Sequence, residues 1–241
     1  MSETAPRILG GDFHVHSTFS DDARSSLAEN VAAAAAAGLH TVRLVDHVRQ
    51  STEWVPDYLA AVAALEVPDG LTVLTGVEAK VLNTAGELDI PALPAGIDRI
   101  LIADHQFPTP DGPIGPAAVV ERISAGWSPD DALGSLVTAL VAAMERYPGN
   151  QLAHCFSILP KVGLSEADLS QDQLVAWARA AARTDTHVEV NEKWACPGPR
   201  ALTALRAAGA TVVASTDSHD AETVGRYARV RDLLAAAGVG Q

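Results

Sequence analysis

Six of the eight histidines in this chain fall in a repeating pattern, each at the end of a short apolar segment rich in strand-forming residues. His14 and His16 stand two residues apart in Asp12-Phe-His14-Val-His16. Asp46-His47, Glu78, Asp104-His105, His154, Glu189 and Asp217-Ser-His219 follow, spaced by about one strand and one helix. Successive side chains on a strand point to opposite faces, so His14 and His16 project from the same face, as two ligands of one ion must. Asp217 and His219 share that spacing. Imidazole nitrogen together with carboxylate oxygen suits zinc, manganese or iron, and the lack of thiolate ligands argues against a structural zinc knot. Taken singly, each residue has an ordinary explanation: a strand-end histidine such as His105 is more often a hydrogen-bonded surface or core residue, and Glu78 alone more often a solvated acid. Their conjunction points to a multinuclear metal site. His40 and His187 fall outside the pattern, at a strand entrance and a strand start, and take the structural reading.

The elements that must position these side chains are legible as seven strand candidates: Arg7 to Val15, Thr41 to Val45, Leu71 to Val77, Arg99 to Ala103, Gln151 to Ala153, His187 to Val190 and Thr211 to Ala214. Helical stretches lie between them. Ser25 or Ser26 can cap a helix through Ala37, with Gly38 placed to end it. Trp54 to Leu65, Asp130 to Arg146, Asp172 to Arg183, Pro199 to Ala208 and Glu222 to Ala237 read as further helices. Alternation of strand and helix implies parallel strands with right-handed crossovers. Such strands present their C-terminal ends on one face, where the histidines and acids would converge. Periodicity alone leaves a closed barrel and an open doubly wound sheet both standing.

A chain of 241 residues is long enough for one large α/β barrel, and no Ser- or Gly-rich linker divides it, so a single domain over residues 1–241 is expected. Met1 to Pro6 lacks the basic start and apolar core of a signal peptide, and no apolar run reaches a membrane span, which predicts a soluble, cytoplasmic protein. Cys155 and Cys196 have no paired motif and read as reduced thiols. Seventeen basic against thirty acidic residues give a net charge of −13, which argues against long nucleic acid and anionic membrane as partners. Bound cations would reverse that charge locally, so an anionic substrate is compatible with it.

The motifs Asp12-Phe-His14-Val-His16-Ser-Thr-Phe-Ser-Asp21, Val45-Asp46-His47, Gly76-Val-Glu78, Asp104-His105, Ala153-His154, Val188-Glu189-Val-Asn191 and Ser215-Thr-Asp217-Ser-His219 resemble, in order, those of the polymerase and histidinol phosphatase, or PHP, domain. The resemblance covers residues 12 to 219. It implies a distorted, TIM-like, seven-stranded β/α barrel and two to three divalent ions, zinc, manganese or iron. It further implies that His14, His16, Glu78 and Asp217 hold one ion, that Glu78 bridges to a second held by His105 and His154, and that Asp21, His47 and His219 hold a third. The family's Ser-Asp-Gly is here Ser20-Asp21-Asp22, which makes Asp22 a competitor of Asp21. Glu189 matches a position beside the site with a supporting role.

A water bridging two divalent ions ionises near neutral pH and can act as a nucleophile, and paired ions can clamp the attacking and leaving oxygens of an in-line displacement. That chemistry suits a metal-dependent phosphoesterase acting on a small phosphomonoester, histidinol-phosphate-like or a nucleotide. The same nucleophile could attack an amide or lactone, and a non-catalytic metal-binding module is a further alternative. A phosphate dianion also calls for cationic donors. Arg49 and Lys193 are the first candidates, with Arg24 and Lys80 behind them. Lys80 to Pro91 reads as a hairpin-like excursion, Pro108 to Pro116 as a loop, and Trp54 and Trp194 as core or surface aromatics that could instead stack on a ligand. Neither the substrate nor the oligomeric state follows from the sequence.

Overall fold

The computed structural model describes residues 7–238, and Met1 to Pro6, read above for a leader, lie outside them. Seven parallel strands form one sheet in the order β1 (Gly11–Val15), β2 (Thr41–Val48), β3 (Thr72–Lys80), β4 (Arg99–Ala103), β7 (Gln151–Leu152), β8 (His187–Asn191) and β9 (Val212–Ser215). Between β4 and β7 the chain inserts an antiparallel pair, β5 (Phe107–Thr109) and β6 (Gly112–Ile114). Seven described helices surround the sheet: α1 (Leu27–Ala36), α2 (Val55–Ala63), α3 (Pro116–Ser124), α4 (Pro129–Arg146), α5 (Gln171–Arg183), α6 (Pro199–Ala208) and α7 (Arg229–Ala236). The sheet curls until its two edges meet. His16 N donates to Ser218 O at 2.8 Å and Ser218 N to His14 O at 3.3 Å, which gives a nearly closed barrel.

The seven expected strands are all present. The expected start at Arg7 is corrected: Arg7–Gly10 form a short 3₁₀ turn before β1. Ser26 is the cap of α1, its hydroxyl accepting from Glu29 N while the Glu29 carboxylate accepts from Ser26 N at 2.7 Å. Ser25 instead accepts from Ala221 N at 2.8 Å, tying α1's entrance to the loop after β9. The stretch 108–116, expected as a loop, holds all of the β5–β6 hairpin but Phe107, and α3 follows it after Gly115, with no side-chain cap to announce it. The continuous helix expected from Glu222 to Ala237 is broken. Gly225 adopts a left-handed φ of 69° and donates to Asp12 Oδ2, Tyr227 donates to Gly11 O, and the Glu192 carboxylate accepts from the amides of Ala228, Arg229 and Val230. Helix α7 therefore starts where a distant acid caps it, which no local signal announces.

Parallel register sorts the side chains into an outer core under the helices and an inner column. Val45 pairs with Gly76 and His47 with Glu78, so these residues of β2 and β3 share a face. Inside the barrel Val45, Leu101, Ala103 and Ala153 form a small apolar layer. Below it Arg43 is buried, with its guanidinium donating to Thr75 O at 3.1 Å. Gly76 leaves room for this layer, because a Cβ there would lie 3.1 Å from both Leu101 and Val45. The polar residues sit above, at the C-terminal mouth.

The excursion after β3 is hairpin-like as expected: Leu82 N donates to Glu87 O at 2.7 Å and Gly86 N to Asn83 O at 3.0 Å. It docks on α4 so closely that a Cβ at Gly86, whose φ is 71°, would lie 2.2 Å from Ala143 N. Gly86→Ala is expected to cost about 2 kcal/mol or more, from the left-handed conformation plus the displaced backbone. Urea unfolding checks it. At the opposite end, His187 Nε2 accepts from Arg99 Nη2 at 3.1 Å. Burial and the neighbouring Arg99 and Arg43 push its pKa from 6.5 down to about 4. The unfolded chain therefore binds more protons between those values, so His187 costs stability progressively as pH falls from 6.5 to about 4. His187→Gln should flatten that part of the stability profile relative to wild type.

Candidate metal centre

Strand ends deliver the centre's histidines and acids to one cup. Glu78, fully buried at the end of β3, lies at its middle. Its Oε1 is 2.9 Å from His154 Nε2 and 3.1 Å from His105 Nε2. Its Oε2 is 2.9 Å from His47 Nδ1, 3.4 Å from His14 Nε2 and 3.5 Å from His16 Nε2, yet makes no hydrogen bond. Asp217 brings Oδ1 to 3.3 Å from His16 Nε2, and its left-handed φ of 53° turns the carboxylate back over the barrel mouth. The His219 ring lies against that of His16, tilted by 40°, with centroids 4.2 Å apart.

Among the described residues three sets of donor atoms stand out, the atoms of each set lying within 4.8 Å of one another: His14, His16 and Asp217; His47, Glu78 and His105; and His16, His47 and His219. Their chemistry fits cations. Glu189 faces His14 Nδ1 at 2.9 Å, so that nitrogen carries the proton and His14 Nε2 presents a lone pair. Ser20 donates its one hydroxyl proton to Asp46 at 2.7 Å, so it can only accept from His16 Nδ1, at 3.3 Å. His16 Nε2 then presents a lone pair too. The two Nε2 atoms face each other at 2.9 Å, a separation that only a shared proton or cation makes stable. In the metal-free protein a proton serves. Burial opposes it, but the Glu189 and Glu78 carboxylates hold His14 well above its usual pKa, while burial lowers that of His16 to about 3. Burial would also raise Glu78, but His105 and His14 outweigh it and keep the carboxyl ionised.

Aspartates next to the strand-end histidines brace the loops. Asp12 accepts from Thr216 N at 2.9 Å and Thr216 Oγ1 at 2.6 Å across the barrel seam. Asp46 accepts from Ser17 N at 2.9 Å, Ser17 Oγ at 2.6 Å and Ser20 Oγ at 2.7 Å. Asp104 accepts from Ser157 Oγ at 2.9 Å and lies 3.5 Å from His154 Nδ1. Burial raises the pKa of Asp12 and of Asp46 to about 6. Glu189 supports rather than faces the cup, accepting from His14 Nδ1, Gln151 Nε2, His154 N, Asn191 Nδ2 and Ser215 Oγ.

Of the nine residues expected as ligands, eight converge here. Asp21 lines the adjoining cavity but pairs with no histidine among the described residues; Asp22 does, with Oδ2 3.2 Å from His219 Nε2 and 3.6 Å from His47 Nε2. Ala23 N donates to Ser20 O, closing a turn that brings the second aspartate back to the mouth. Lys193 reaches the centre, its Nζ 3.3 Å from both Asp217 Oδ2 and His219 Nδ1. It lines a cavity of about 740 Å³ with Arg24, while Arg49 and Lys80 line one of about 440 Å³ on the other side, beside His47, Glu78 and His105. Trp54 packs on Phe19 and Tyr58, away from the centre. Trp194 stands at the mouth, its indole N–H donating to Asp217. Both cysteines are buried and free.

An α/β barrel with a cup of histidines and acids at its C-terminal mouth defines a metal-binding protein of the hydrolase type. The model of the PHP domain matches residues 12–193, and the chain belongs to that family. Asp217 and His219 lie beyond the matched stretch and join the centre through the fold. The chain is 27% identical over 234 residues to a probable phosphatase of Enterobacter sp. (strain 638), covering 92% of this chain and 84% of the relative. It is 25% identical over 239 residues to the probable phosphatase YcdX of Escherichia fergusonii, covering 93% and 84%. Its fold is similar to that of histidinol phosphate phosphatase from Lactococcus lactis subsp. lactis Il1403, solved with zinc, L-histidinol and phosphate: TM-score 0.66, 17% identity, 95% of this chain and 94% of that one.

Glu189→Gln keeps the shape of the side chain but sets an amide NH₂ against donors that now meet a carboxylate. It is expected to lower the stability of the metal-free protein by about 2 to 4 kcal/mol, as loss of a buried charged acceptor does. Chemical denaturation of the metal-free protein measures this directly.

Proposed function

We propose that the chain is a metal-dependent phosphatase that hydrolyses a small phosphomonoester. The observation that carries this reading is the approach of His14 Nε2 to His16 Nε2 at 2.9 Å, beside a Glu78 Oε2 that makes no hydrogen bond and lies 2.9 Å from His47 Nδ1. His14, His16, Asp217 and Glu78 would hold one ion, Glu78, His105 and His154 a second, and His47, His219 and Asp22 a third, with Asp22 in the place first expected of Asp21. Divalent ions there would ionise an attacking water near neutral pH and offset the charge on the phosphoryl oxygens.

The chain's own residues do the rest. Glu189 and Ser20 fix the tautomers of His14 and His16 so that both offer Nε2 to the cup. Lys193 and Arg49, on opposite sides of it, donate to phosphate oxygens and orient the ester. The two flanking cavities, about 740 and 440 Å³, are of the size that takes small ligands. Among the described residues no helix is long and apolar enough to cross a membrane. The net charge of −13 disfavours long nucleic acid and leaves a small phosphorylated metabolite as the partner.

Metal content by mass spectrometry, run beside hydrolysis of p-nitrophenyl phosphate with added manganese or zinc, tests the reading. Two to three ions per chain and metal-dependent turnover are expected, with both lost in a His14→Ala, His16→Ala double variant. Ions without turnover on a broad phosphoester panel would transfer the centre to another bond, such as an amide or lactone. Protein that takes up no ion would overturn the reading.

A further inference from the structure

Trp194 sits in an unusual place for so large an apolar side chain. It lies just past β8, 36% exposed, in a segment folded back so that Asn191 N donates to Cys196 O at 2.7 Å. Trp194 N donates to Asn191 Oδ1 at 3.1 Å, and Ala195 takes a left-handed φ of 52° to complete the fold-back. Burial does not account for this arrangement, because the ring is left 36% exposed, with its centroid 5.9 Å from that of His154. Nor is the ring a free stacking platform: the Lys161 ammonium lies 4.1 Å from its centroid, a cation–π contact, and Lys193 Nζ lies 5.6 Å from it. The arrangement does deliver the indole N–H to Asp217 Oδ2, at 2.7 Å.

Asp217 offers two oxygens. Oδ2 receives Trp194 Nε1 at 2.7 Å and stands 3.3 Å from Lys193 Nζ. Oδ1 is the one turned towards His16 Nε2, at 3.3 Å, and His14 Nε2, at 3.9 Å. We infer that Trp194 is a positioning residue of the metal centre: its indole N–H commits Oδ2 of Asp217 and so presents Oδ1 to an ion shared with His14 and His16. Asp217 stands two residues past the end of β9 with a left-handed backbone, so the ladder of that strand does not fix the direction of its buried carboxylate. A donor that fixes its rotation replaces that support, as the outer hydrogen bonds of metal ligands do. The inference rests on the proposal that this centre binds ions.

The test is cobalt(II) and zinc(II) binding to metal-free protein, followed by the visible absorption of cobalt and by titration calorimetry. Trp194→Phe keeps an aromatic ring under Lys161 but removes the donor. It is expected to weaken the tightest ion by roughly 10- to 100-fold, the range for lost outer partners of metal ligands, and to change the cobalt spectrum. The melting temperature of the metal-free form should stay close to wild type. In an Asp217→Ala background the same substitution should have no further effect on affinity, because the path runs through that carboxylate. Unchanged affinity and spectrum in Trp194→Phe would overturn the inference, as would an equal loss in the Asp217→Ala background. Trp194→Tyr, whose hydroxyl lies on a different axis from the indole N–H, gives the same comparison should the first variant be unstable. Wild-type protein that binds neither metal would overturn this inference and the phosphatase reading together, whereas binding without turnover would touch only the latter.

Discussion

The buried carboxylate of Glu189 is the constraint around which the barrel mouth is arranged. It is fully enclosed, and a charge so placed is tolerable only when its lone pairs are met. Here the donors come from four directions: His14 on β1, Gln151 on β7 and the His154 amide after it, Asn191 on β8 and Ser215 on β9. One acid therefore fixes the spacing of the first, fifth, sixth and seventh strands of the sheet, and it does so on the side where the fold has least backbone pairing, β7 being only two residues long. The same contact sets the tautomer of His14. Strand packing and the orientation of the His14 ring are thus set by a single group.

A second tier of acids works by the same principle without facing the cup. Asp12, Asp46 and Asp104 each precede a histidine of the centre by one or two residues; Asp12 and Asp46 spend their oxygens on loop hydroxyls and amides, and Asp104 accepts from one loop hydroxyl through Oδ1. Serine and threonine at 17, 20, 157 and 216 are their partners. The histidines are thereby held from behind by groups that compete with no ion for them, and loops that carry no regular structure become as fixed as strands.

Much of this was legible in the sequence, because the strands are apolar runs ended by residue types with few reasons to recur. The two-residue spacing announced the convergence of His14 and His16, and the resemblance carried by the ordered motifs implied the barrel; Asp217 and His219 reach the same cup by another route, because β9 ends at Ser215 and a left-handed Asp217 turns the chain there. What the sequence hid depends on tertiary contact. The choice of Asp22 over Asp21 at the histidines turns on a hydrogen-bonded bend from Ser20, invisible between two adjacent identical residues. The break before α7 is set by Glu192 and Asp12, thirty-six and two hundred and thirteen residues away from the amides they accept. Trp194 was readable as an aromatic near a strand end, but not as a donor, since the direction of an indole N–H depends on a fold-back that no local propensity encodes. The β5–β6 pair carries no strand signal in the sequence, because its strands are three residues each and both contain proline.

The seam between β1 and β9 has a meaning beyond topology. The other strands are joined by ladders, whereas these two meet through a single bridge at Val15 and Ser218 and through the side chain of Asp12. His14 and His16 stand on one lip of this seam and Asp217 and His219 on the other. An ion shared by His14, His16 and Asp217 would act as a clasp, so that loading the centre and shutting the cylinder become one thermodynamic event, and the first and last strands are joined most firmly when the protein is ready to work.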